Sequence, residues 1–174
     1  MSSLSSFEQT LIREVPARFL VTHRQFCGKI ADVLPGLETA AFEREIFGLY
    51  LFQIAVMQSK RFTRLGKLEL ATKVIEAWAS DVHSASLRQR IPGAADRTVM
   101  KELEPCIRYY DAFLASSTRH ERLRGMDDTE AATEVFISRL KDFAQHENLP
   151  WPKIDKTSVE TAAIRHIRVL LEFV

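Results

Sequence analysis

The sequence predicts a single all-α domain, with six or seven helices packed around one apolar helix at about residues 38–59. Three observations carry that expectation. Six glycines, six prolines and one asparagine (Asn148) in 174 residues are too few for a chain made of many tight turns. Apolar residues recur at helical spacing, without a run of period-two alternation and without an Asn-Gly or Asp-Gly hairpin signal. Residues 46–57 read Ile-Phe-Gly-Leu-Tyr-Leu-Phe-Gln-Ile-Ala-Val-Met, with Gln53 the sole frankly polar side chain. A helix apolar on every face has to be buried on every face. Exposing its large apolar side chains would forgo roughly 1.5–3 kcal/mol each, more in total than the usual net stability of a domain. No Gly/Ser linker, low-complexity tract or internal repeat divides residues 1–174.

The elements follow from start and stop signals. Ser5 with Glu8 forms a capping box, followed by Phe7, Leu11 and Val15 at four-residue spacing. Pro16 either kinks this helix or opens a second one. Phe19, His23, Phe26, Ile30 and Val33 then share a face, and Leu34-Pro35-Gly36 ends it. The apolar helix comes next. After it, Phe62, Leu65, Leu68, Ala71, Ile75, Trp78, Val82 and Ala85 form an inward stripe, with Lys67, Lys73, Glu76 and Asp81 off it. Ile91-Pro92-Gly93 is a stop. Val99, Leu103, Cys106, Tyr110 and Phe113 make another stripe with a kink at Pro105, and residues 119–125 are a charged loop. Asp127 and Glu130 cap a helix that turns Val135, Phe136, Leu140 and Phe143 inward. Pro150-Trp151-Pro152 is a tucked loop whose tryptophan either covers the edge of the core or stands out as an exposed recognition plug, with the first reading preferred. Thr157 and Glu160 make a further capping box, before Ala163, Ile164, Ile167, Leu170, Leu171 and Val174.

Composition removes several functions. A net charge of +1 argues against a dedicated nucleic-acid binder. Cys27 and Cys106 are too few for a disulfide framework. The first residues lack the basic end and apolar stretch of a secretory signal, and the apolar run falls short of the roughly 20 residues that span a bilayer. A cytosolic protein is the expectation. None of the five histidines has an acid three residues before it, and His-Glu-x-x-His and Cys-x-x-Cys are absent, so no metal site or cofactor is expected. The glycines are isolated, which leaves no phosphate cradle. His23 and Cys27 are one helical turn apart, but His23 lies in line with Phe19, Phe26 and Ile30 and reads as a core residue rather than a catalytic base.

One nuclease pattern is partly matched. Arg18 and His23 have four intervening residues, and Arg139 and His146 have six; this spacing resembles the Arg–His motif of HEPN-type, metal-independent ribonucleases. With 16 arginines and five histidines, about 1.4 such matches arise by chance. Phe19 and Leu140 also occupy the position that usually carries a polar residue after the arginine.

Two candidate sites remain. Tyr50, Gln53 and Met57 share one face of the apolar helix; either they orient a small apolar ligand with Trp78 opposite, or Tyr50 and Gln53 satisfy each other or a backbone carbonyl in a packed core, which is the preferred reading. Lys60, Arg61, Arg64 and Lys67 would hold an anion or an acidic partner, or complement the end of the preceding helix. Without a catalytic signature, the expected function is non-catalytic binding of another protein, as an adaptor, chaperone, immunity or regulatory factor, with a homodimer possible through the surplus apolar surface. A sensor or carrier of a small apolar ligand and a HEPN-like ribonuclease are the alternatives.

Overall fold

A computed structural model describes residues 4–37, 39–89 and 127–174, with side chains in the third helix described as far as Asp81. Five helices stand in it, without a strand among the described residues: α1 (Ser6–Asp32), α2 (Ala41–Gln58), α3 (Arg64–Gln89), α4 (Asp128–His146) and α5 (Lys156–Leu171). The expected helix over residues 99–113, the charged loop 119–125, the Pro92 stop and the side chains of Val82 and Ala85 lie outside the described residues. No helix among the described residues is long and apolar enough to cross a membrane.

The first helix starts at the expected capping box: Ser5 Oγ accepts from Glu8 N at 3.2 Å, and Glu8 Oε2 accepts from Ser5 N at 2.9 Å. Of the two roles open to Pro16, the opening of a second helix is not taken: the proline lies inside a single helix. Helix α1 runs through it for 27 residues. Losing one backbone hydrogen bond is tolerated because Ile12, Val15, Phe19, His23, Phe26 and Ile30 form one continuous buried face across the proline. The chain then turns through Leu34 and Leu37, both fully buried, with Gly36 in the left-handed region at φ 82°.

Helix α2 is the central element and touches each of the other four described helices. Ile46, Phe47, Leu51 and Ala55 are fully buried. Phe47 stacks on Phe136 of α4 with ring centroids 4.2 Å apart, and Phe19 of α1 meets Phe52 at 4.7 Å. Burial is not complete all round: Gln53 is exposed and Met57 is 65% exposed, so one stripe of α2 meets solvent.

Helix α3 corrects the expected stripe. The buried residues are Phe62, Gly66, Leu70, Val74 and Trp78, whereas Leu65 is exposed and Leu68 is 67% exposed. The reason lies at the start of the helix. Glu8 of α1 reaches across, and its Oε1 accepts from Thr63 N at 2.7 Å and from Thr63 Oγ1 at 2.6 Å. A Cβ at residue 66 would stand 2.5 Å from that same oxygen. A larger residue there would have to displace the Glu8 carboxylate from Thr63, so Gly66 lets α3 approach α1 while keeping that contact, which turns this face of the helix inward.

The Asp127–Glu130 capping box of α4 is present as expected, with Asp127 Oδ1 accepting from Thr129 N and Glu130 N at 2.8 and 2.9 Å. The start of α5 differs from the expected Thr157–Glu160 box. Asp155 is the N-cap and accepts from Thr157 N at 3.1 Å, so the helix begins two residues earlier. The intervening Pro150-Trp151-Pro152 is a loop, but Trp151 is 42% exposed rather than covering the core.

Candidate functional site

The residues expected to line an apolar pocket are only partly brought together. Tyr50 and Gln53 border a hollow of about 30 Å³ shared with Ala71 and Ile75 of α3, room for about one water. Met57 and Trp78 lie outside its lining. Trp78 is instead buried, and its Nε1 donates to Glu45 at 2.8 Å. Among the basic residues, Lys60, Arg61 and Arg64 are exposed around the α2–α3 connection. Lys67 donates to the Met57 carbonyl at 2.8 Å, which closes the C-terminal end of α2. Arg61 donates to the Glu172 carbonyl at 3.3 Å.

The two Arg–His pairs are differently disposed. Arg18 is exposed while His23 is buried. Arg139 grips Glu43 of α2 through Nε and Nη2 at 2.5 and 2.9 Å, while the His146 side chain is 86% exposed.

Two further arrangements emerge, of which the sequence pattern had shown only the His23–Cys27 pair. The first is a polar cluster at the α1–α2–α3 junction. Glu45 Oε2 accepts from His23 Nε2 at 2.5 Å and from Trp78 Nε1 at 2.8 Å. Cys27, one turn after His23, places its Sγ 3.7 Å from the same imidazole nitrogen. The ring stacks on Phe19 at 4.9 Å. It also lies so close to the α2 backbone that a Cβ at Gly48 would come within 2.3 Å of its Cε1. Burial pushes the Glu45 carboxyl up, but the hydrogen bond and charge of His23, with the Trp78 and Cys27 hydrogen bonds, outweigh it and hold the carboxyl below its usual range. Burial, reinforced by the Glu45 charge, pushes the Cys27 thiol well up. A thiol held protonated is a poor nucleophile, so the His23–Cys27 pair lacks the activation that covalent catalysis needs. The sequence signals for this cluster were the His23–Cys27 spacing on α1 and Glu45, an acid near the start of the most apolar helix, where a half-buried carboxylate has to find partners.

The second is a groove of about 420 Å³ between α1 and α5. Thr22, Gln25 and Lys29 stand on one wall, and Thr161 and Arg165 on the other. Its lining contains no carboxylate. His166 closes the base, stacked on Phe26 with centroids 4.2 Å apart and planes within 10°. Its Nε2 is buried without a hydrogen-bond partner. Burial, followed by the nearby charges of His23 and Lys29, lowers its pKa to about 3, so the ring is neutral at physiological pH. These residues escaped the sequence reading because they come from two helices more than a hundred positions apart, each contributing what looks like an ordinary solvated face.

Comparison with protein-family models, curated proteins and solved structures found no match to the chain.

Proposed function

We propose that this chain is a cytosolic, non-catalytic helical protein that recognises an acidic segment of a partner protein in the groove between α1 and α5. The observation that carries it is the lining: Lys29 and Arg165 with hydroxyl and amide groups between them, an apolar floor at Phe26, and no carboxylate. Neither cation is in an ion pair among the described residues. Hydrogen-bonding groups over an apolar base suit a peptide, whose side chains bury while its carboxylates and backbone find donors. The exposed cations Lys60, Arg61 and Arg64 offer a second acidic contact on another surface. The alternative of a small apolar ligand at Tyr50 and Gln53 has about 30 Å³ to work with, far below the few hundred Å³ of ordinary ligand pockets.

The test is fluorescence anisotropy with labelled acidic, neutral and basic peptides of equal length. The acidic peptide binds, more weakly as salt rises, and Lys29→Glu with Arg165→Glu weakens it about tenfold, two exposed charge pairs being worth up to about 1 kcal/mol each. Equal binding of the neutral peptide, or the same affinity in the double variant, overturns the proposal.

A further inference from the structure

We infer that His23, Cys27 and Glu45 form a binding site for a divalent transition-metal ion, with zinc the best match. The donor atoms are an imidazole nitrogen, a sulfur and a carboxylate oxygen, all within 4.8 Å of one another. That mixture is the one borderline-soft cations take, whereas magnesium and calcium prefer oxygen alone. A tetrahedral zinc with bonds of about 2.0–2.3 Å places its ligand atoms roughly 3.3–3.7 Å apart. The Sγ–Nε2 separation of 3.7 Å already meets that spacing. The Nε2–Oε2 separation of 2.5 Å is that of a hydrogen bond, and entry of the ion replaces its proton and opens the pair by under about 1 Å.

The surroundings are arranged as a metal site requires. His23 and Cys27 are one turn apart on the face of α1 that meets α2, so a single helix presents both donors in parallel. The imidazole is clamped between Phe19 and the α2 backbone at Gly48, which leaves little rotamer entropy to lose on binding. Trp78 donates to Oε2 of Glu45, a supporting contact of the kind that orients ligating carboxylates. The Glu45 side chain is 26% exposed, giving the ion a path in and a water its fourth ligand. On binding, the His23 Nε2–H and Cys27 S–H bonds are replaced by nitrogen–metal and sulfur–metal bonds, and both protons leave to solvent. Sequence motifs miss such a site because the third donor comes from another helix, 18 positions beyond Cys27.

Cobalt(II) is the probe, added to the metal-free full-length protein. The expected result is one equivalent bound, with a near-ultraviolet thiolate-to-cobalt charge-transfer band and the visible bands of a tetrahedral ion, all removed by zinc. Cys27→Ser abolishes the charge-transfer band while circular dichroism shows the helices kept, Cys106→Ser retains it, and Glu45→Gln weakens binding by about tenfold or more. Absence of the band in the wild type overturns the site, as does its survival in Cys27→Ser.

Discussion

Glu8 shows how much one side chain can hold. It is almost fully buried, and its two oxygens accept from Ser5 N and Oγ on one side and from Thr63 N and Oγ1 on the other. One carboxylate thus caps the starts of both α1 and α3. The hydrogen bond from the Thr63 side chain, followed by those from the Ser5 and Thr63 backbones, lowers its pKa from 4.5 to about 2. A depressed carboxyl contributes its stabilisation fully above the unfolded value and loses it as pH falls from about 4.5 towards 2. Glu8→Gln puts an amide NH₂ where one of two fixed backbone donors points. The variant is expected to be less stable at neutral pH, with a shallower loss between pH 4.5 and 2, as read by urea titration across that range. An unchanged acid profile would mean that the carboxylate is not the group being titrated. The capping box was readable from Ser5 and Glu8, since it depends on residues three apart. The second half of Glu8's role was not, because Thr63 lies 55 positions away.

At the scale of the helix, α3 separates what periodicity can say from what it cannot. Counting apolar residues found a helix, and there is one. It placed Phe62 and Trp78 inward, as they are, but also Leu65 and Leu68, where Gly66, Leu70 and Val74 are buried instead. A 3.6-residue period is nearly satisfied by either set, and a glycine adds nothing to an apolar count. What chooses between them is the Glu8–Thr63 contact and the close approach permitted at Gly66. Leu68→Lys is therefore expected to change stability by less than about 0.5 kcal/mol, as for other surface positions. Leu70→Ala is expected to cost about 2–5 kcal/mol. Thermal denaturation of the two side by side checks both, and a larger cost at Leu68 would restore the periodic stripe. Helix α1 gives the complementary case: the local signal at Pro16 left a kink and a second helix both open, and a continuous buried face keeps the helix single.

For the molecule as a whole, α2 acts as the shared wall of all its neighbours. Phe47 meets Phe26 of α1 at 5.7 Å and stacks on Phe136 of α4, so its ring joins three helices. Phe47→Ala is expected to cost about 3–5 kcal/mol, with far- and near-ultraviolet circular dichroism losing signal in one transition. Separate transitions would show that the helices do not share a single cooperative core. Composition and spacing were enough for the all-α class, for α2 as the central element and for the starts of α1 and α4. Those properties depend on local backbone preference and on how much apolar surface a segment must hide. The rotation of α3, the continuity of α1, the His23–Cys27–Glu45 cluster and the cationic groove between α1 and α5 arose only when helices met. Each depends on which side chains distant segments bring within a few ångströms, and spacing along one chain carries no record of that distance.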